Sequence, residues 1–450
     1  MGLTAGCSAL NRKPVRPPPA EDKIPLTEKV ALPPAKAPEE DPPVRRGLRT
    51  RGELAAEMAE LDKLGKTLGA SAHKIERPCR TPKCDAKALD GFFKRMDKLD
   101  RVKDGVVRVL QLGDSHIAAD YITRTTRAQL QDRFGNAGRG FVAADQRAEY
   151  GGRRIDRKNW ERLRCVDPKG PGNPFGFAGM YLESQSSGAE LTYELEPDDD
   201  DLVIYYQAQP KGANLKVLAE TELLATVSTK NKKAKSLVER IEIPEHRLGG
   251  AVPPTLLKIS ADGPNVKVFG LSFESLRPGF LYDSIGPVGA DARVYLGMDP
   301  VSMGEQLDAL RPDLIVIMVG GNDALMIRKG ERTIAEVKAD HEALITRLQG
   351  HLPTADCLVF GPMDAAERLN DGTLVSKTFI KEVRDLQREL AVQKGCAFWD
   401  AYEAMGGAGS FGRWLKAGIM NEDLIHPRAK GGDLLGHLFA QALINAYLGK

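Results

Sequence analysis

The stretch Gly105-Val106-Val107-Arg108-Val109-Leu110-Gln111-Leu112-Gly113-Asp114-Ser115-His116 decides the fold. Val and Leu dominate its first eight residues and predict a strand, and the Gly-Asp-Ser-His that follows reads as a turn. Residues 118–134, ending before Gly135, predict a helix. Strand, turn and helix in that order open a parallel α/β sheet, whose ligands bind beyond the carboxyl ends of the strands. A serine at that turn, at the start of a helix, has its hydroxyl near unpaired backbone N–H groups. Those groups stabilise negative charge as it develops.

Toward the C-terminus the same grammar resumes. Leu314–Val319 is packed with branched residues, as a strand buried on both faces would be. Helices are predicted over 331–349, 376–393 and 429–447, and strands over Leu358–Phe360 and Ala397–Trp399. Between about 176 and 278 the character differs. Leu191–Leu195, Leu202–Tyr206, Leu215–Leu218, Val238–Ile243, Leu256–Ile259 and Val266–Phe273 are short β-type runs separated by Asp, Gly, Pro, Asn and Lys clusters. The expected fold is therefore α/β, a doubly wound parallel-sheet domain over 105–175 and 279–450. Residues 176–278 form an inserted antiparallel β-sandwich.

Ahead of this unit, 51–68 and 86–100 carry helical apolar stripes, so 51–104 is expected to be a helical segment leading into the α/β domain. Residues 1–50 read differently. Leu3-Thr4-Ala5-Gly6-Cys7 resembles a bacterial lipobox, in which Cys7 is lipidated. No basic and apolar stretch precedes it, so either the true start lies upstream of Met1 or the match is accidental. Residues 13–43, rich in Pro, Ala, Lys and Glu, behave as an extended tether. Anchor and tether together imply the bacterial cell envelope: a periplasmic protein, anchored to the outer membrane if Cys7 is lipidated.

Apolar residues make up 42% of the 450, charged residues 28%, and the formal charge is +2. That balance carries no nucleic-acid footprint, and no apolar run approaches the roughly 18 residues of a membrane helix. Cys79 and Cys84, five apart across a turn-like stretch, can close a small disulfide loop or remain two thiols. Cys165, Cys357 and Cys396 lie in or near apolar stretches and read as buried small hydrophobes.

Three blocks carry chemistry: Gly113-Asp114-Ser115-His116, Gly320-Gly321-Asn322-Asp323 and Asp423-Leu424-Ile425-His426-Pro427. Each alone is more often a turn or a cap than a site. Together, in this order and at these places in one α/β domain, they supply a nucleophile, an amide donor and a base with its orienting carboxylate. On these residues the chain resembles the SGNH, or GDSL-like, hydrolase superfamily. The resemblance implies catalytic Ser115, Asp423 and His426, and an oxyanion hole of the Ser115 N–H, the Asn322 amide and a glycine N–H. Gly289 aligns best for that glycine within Asp283–Ala290, with Gly286 as the alternative. It implies no metal and no organic cofactor. His116, where many relatives have leucine, reads as a polar residue at a helix start.

The β-insert and Phe134–Phe141 further resemble exported peptidoglycan and carbohydrate O-acetylesterases. That implies an acylated glycan substrate. Two other readings stay open: a polysaccharide O-acetyltransferase using the same triad, and a non-catalytic glycan-binding envelope protein.

Overall fold

A computed structural model describes residues 50–167, 174–244 and 255–450. Cys7 and the Pro-rich stretch lie outside the described residues. Five parallel strands form the central sheet, in the order Gly279–Ile285, Val106–Gly113, Leu314–Met318, Asp356–Phe360, Ala397–Trp399. The first strand in the chain thus lies between the second and third. This is the order reversal at which doubly wound sheets open a crevice.

Period-two alternation explains why both faces of this sheet are buried. Val107, Val109, Leu314, Val316 and Met318 face one core, which Tyr121–Phe134 and Ala429–Tyr447 cover. Leu110, Leu112, Ile315, Ile317 and Val319 face the other, under Pro300–Leu310, Ile334–His351 and Ile380–Lys394. The N-terminal helices Arg51–Leu68 and Asp90–Val102 belong to the first core through Leu61, Leu68, Phe92 and Met96. They cover the α/β unit rather than project from it. A capping box of Thr50 and Glu53 starts the first of them.

Two antiparallel sheets arise between the first two parallel strands. One runs Lys235–Glu242, Asp201–Ala208, Lys267–Glu274, Met180–Ser184, Trp160–Arg164, with Gly140–Ala143 also paired to Lys267–Glu274. The other runs Arg154–Lys158, Ala189–Glu194, Leu256–Ala261, Asn214–Ala219, Glu222–Ser228. Leu182, Ile204 and Leu271 of the first share a buried cluster with Leu191, Val217 and Ile259 of the second. The opposite side of the first sheet, through Phe141, Tyr205 and Phe269, packs into the second α/β core. Antiparallel pairing begins at Gly140, ahead of the boundary near 176 expected from the pattern. Strands such as Arg154–Lys158 and Trp160–Arg164 are too charged to show apolar alternation.

Cys79 and Cys84 form a disulfide. Cys357 and Cys396 form a second one, against their expected role as buried small hydrophobes; of the three, Cys165, buried and outside both disulfides, fits that reading. The second bridge joins two neighbouring parallel strands, Cys357 lying on one and Cys396 directly preceding the other. Register alone brings these two together, and spacing along the chain carries no sign of it.

Candidate active site

The three blocks converge at the carboxyl ends of the first and third parallel strands, the mouth of the crevice. Ser115 follows Val106–Gly113 with only Asp114 between them. It does not open the long helix, as the sequence suggests. It opens a four-residue turn of helix, Ser115–Ala118, and the long helix Tyr121–Phe134 starts only after Asp120, whose φ is +61°. So short a turn has little macrodipole, and the local N–H groups rather than a long helix face the serine. Asp114 caps the turn by accepting from the His116 N–H at 3.0 Å.

The Ser115 Oγ lies 2.7 Å from His426 Nε2. On the far side of that ring, Nδ1 lies 2.7 Å from Asp423 Oδ2. An ionised carboxylate can only accept, so Nδ1 carries the proton and Nε2 is left to accept from the serine hydroxyl. The other oxygen of Asp423 accepts the backbone N–H groups of Ile425 and His426, each at 2.9 Å. Partial burial disfavours the Asp423 charge, but these N–H groups and the imidazole outweigh it and lower its pKa. The loop itself is closed by the Asn421 N–H donating to the His426 carbonyl at 2.8 Å, with Leu424 at φ +62°. Six consecutive residues, 421–426, therefore position both Asp423 and His426.

Asn322 sits in the first turn of the helix Gly321–Arg328, after Gly320 at φ +143°. Its Nδ2 donates to the Ala290 carbonyl at 2.9 Å and points toward Asp114 Oδ2 at 3.4 Å. The two glycines of the intervening block lie differently. A Cβ on Gly286 would come within 2.4 Å of the Asp114 carbonyl and 2.7 Å of Ile117, so this glycine permits the close approach of the two strand ends. Gly289, at φ +79°, has nothing within 4 Å of such a Cβ and lines a recess shared with Ser115 and Asn322.

Two features were not legible as site components. His116 places Nδ1 2.7 Å from Asp114 Oδ1 and Nε2 3.3 Å from the Ile425 carbonyl. Both partners are acceptors, an arrangement that favours the doubly protonated ring, which can donate from both nitrogens. Burial opposes that charge, yet Asp114 and the Ile425 carbonyl raise the pKa above the usual histidine value. His116 is thus more than a polar residue at a helix start: it ties the nucleophile turn to the loop that carries His426. Tyr295 is the second feature. Its hydroxyl donates to the Gly113 carbonyl at 2.6 Å and also lies 3.2 Å from the Ile285 carbonyl, pinning together the ends of two parallel strands.

Ser115 lies where two recesses meet. One, of about 230 Å³, is mostly apolar, lined by Val288, Met318, Leu325, Met363 and Ile380. Lys377 also lines it, and burial with the nearby Arg328 charge lowers its pKa. The other, of about 580 Å³, opens between the nucleophile turn, residues 143–166 and the turn at 284–288. Among the described residues, no group of three His, Cys, Asp or Glu is placed to hold a metal ion.

Ser115, His426 and Asp423, brought together at the carboxyl end of a doubly wound sheet beside Asn322, resemble the arrangement of SGNH-type ester hydrolases. Residues 286–434 match the model of the GDSL-like Lipase/Acylhydrolase family. A solved peptidoglycan O-acetylesterase structure superposes with a TM-score of 0.67 at 23% identity, covering 80% of this chain and 97% of that one. The two share the fold. An acetyl xylan esterase matches at 18% identity and a TM-score of 0.28 over 37% of this chain and 81% of its own. A carbohydrate-binding module from Clostridium stercorarium, solved with cellobiose, matches at 14% identity and a TM-score of 0.21 over 31% of this chain and 98% of its own. No curated protein matches the chain.

Proposed function

We propose that this protein is a serine O-acylesterase that removes acetyl or other short acyl groups from an envelope carbohydrate. The observation that carries the proposal is the relay from Ser115 through His426 to Asp423, made of two 2.7 Å contacts and open to two recesses. Ser115 attacks the ester carbonyl as His426 Nε2 takes its proton, and Asp423 holds the resulting imidazolium. The oxyanion is held by the Ser115 N–H, the Gly289 N–H and the second Nδ2 hydrogen of Asn322, turned from its long contact with Asp114. His426 then protonates the departing alcohol, and water attacks the acyl-enzyme by the same path. In this scheme the acyl group occupies the apolar recess and the sugar the larger cleft.

The two antiparallel sheets, read as one inserted β-sandwich, wall that larger cleft and hold the glycan. Lipidation of Cys7 and a tether through residue 50 would keep the enzyme at the envelope surface. A mass spectrum of the native N-terminal peptide tests that placement. The enzyme reading is tested by p-nitrophenyl acetate hydrolysis, wild type beside Ser115→Ala, with longer acyl esters in parallel. Acetate release by wild type alone supports it, and equal inertness of both proteins removes it.

A further inference from the structure

The larger cleft carries more charge than the α/β fold requires. Asp145 is the one carboxylate among its described lining residues, against five arginines. Three of these converge on it. Arg154 Nε and Arg157 Nη1 lie 3.0 and 3.1 Å from Oδ1, and Arg162 Nη1 lies 3.1 Å from Oδ2. The other two, Arg147 and Arg164, are paired with Glu149 at 3.0 Å and Asp167 at 2.7 Å.

One carboxylate neutralises one guanidinium. Three guanidiniums on a single carboxylate place like charges beside one another, which partial burial makes costly. The Asp145 side chain is 5% exposed and that of Arg154 10%, whereas Arg157 and Arg162 are 31% and 45% exposed. The buried pair therefore holds the cluster, and the two more exposed arginines face the cleft. A purely structural clasp between the sheet edges Arg154–Lys158 and Trp160–Arg164 would need one arginine. Guanidiniums in this fork arrangement match the planar geometry of a carboxylate.

We propose that Arg157 and Arg162, organised by Asp145 and Arg154, bind a carboxylate on the sugar part of the substrate. The acyl ester cleaved at Ser115 would then be carried by an acidic saccharide rather than a neutral one. This rests on the esterase reading only for the orientation of the sugar relative to Ser115. The carboxylate has two chemical sources, a uronic acid or a lactyl ether on an amino sugar.

The test is direct binding by ligand-observed NMR, which needs no turnover. Glucuronic acid and N-acetylmuramic acid are each compared with their own methyl esters, on wild type and on Arg157→Gln/Arg162→Gln. Wild type should bind one free acid about tenfold more tightly than its methyl ester, as expected for a charged hydrogen bond. That preference should shrink as salt is raised from about 0.05 to about 0.5 M, and should vanish in the double variant. Arg162→Gln alone, at the most exposed of the three sites, gives a partial loss if the double variant folds poorly. The acid that shows the preference identifies the source. Equal binding of acid and methyl ester by wild type overturns the proposal, as does a preference that survives in the variants. Failure of p-nitrophenyl acetate hydrolysis would remove the esterase reading while leaving these binding results to stand or fall by themselves.

Discussion

Gly286→Ala is the substitution that most directly tests how the nucleophile is positioned. Its Cβ would lie 2.4 Å from the Asp114 carbonyl, 2.7 Å from Ile117 Cγ1 and 3.0 Å from the Ala118 nitrogen. Ordinary contact begins near 3.4 Å, so one backbone must retreat by about 1 Å. The strand end before Gly286 is fixed by its pairing, Leu112 opposite Ile285, and by Tyr295 at the Ile285 and Gly113 carbonyls. The turn that carries Ser115 is the part left to move. A displacement of that size at a reacting atom costs about 10²-fold in rate, and the overpacking itself about 1–3 kcal/mol of stability. The assay is kcat on p-nitrophenyl acetate beside urea unfolding, with Gly289→Ala as the comparison. At Gly289 the new methyl meets nothing, the backbone N–H remains, and the left-handed φ costs about 1 kcal/mol. We expect kcat to fall about 10²-fold for Gly286→Ala and to change less than about threefold for Gly289→Ala. Full activity in a folded Gly286→Ala enzyme would refute the argument that this close approach positions Ser115.

Other substitutions probe the remaining parts. Asn322→Ala should lower kcat by about 10²–10³ with little change in KM, since an oxyanion donor acts mainly in the transition state; unchanged kcat removes Asn322 from the scheme. Asp120 is buried, and burial disfavours its charge. Arg127 and Arg139 outweigh that and bring its pKa down to about 2. A pKa below the unfolded value of 3.8 stabilises the fold fully above that pH, by about 2 kcal/mol, and the stabilisation is lost as pH falls through 2. Asp120→Asn should cost about 3–5 kcal/mol at neutral pH by stranding those guanidiniums, and urea unfolding should show the gap to wild type narrowing below about pH 4. Reducing the Cys357–Cys396 bridge, which spans 39 residues, should lower unfolding stability by about 4 kcal/mol on loop-entropy grounds; an unchanged midpoint in the Cys357→Ala/Cys396→Ala protein would contradict this.

Much of the fold was legible because its signals are local. Buried parallel strands such as Leu314–Met318 must be apolar on both faces, and the structure places that strand within the stretch read from the sequence. The final helix, Ala429–Tyr447, coincides with its expected bounds. The strand Glu222–Ser228 and the charged strands at 154–164 escaped because an edge strand that exposes a face has no apolar alternation to read. The break at Asp120 escaped because a left-handed aspartate between two helical turns looks like any polar residue within one helix.

The sequence by itself determined the residue types of the proposed site and their order. Ser115, Asn322, Asp423 and His426 are named by short blocks whose neighbours set each turn. Tertiary structure alone decided what joins them. The 2.7 Å approach of Ser115 to His426 spans 311 residues. The role of His116 depends on the Ile425 carbonyl, 309 residues away. The packing of Gly286 against Asp114 depends on register between parallel strands, and the gathering of Arg154, Arg157 and Arg162 on Asp145 depends on where two sheet edges meet. Turn and strand preferences act over a few neighbouring residues, so the chain states them directly. Contacts between distant residues follow from how two sheets and their helices pack, and no local pattern encodes that distance.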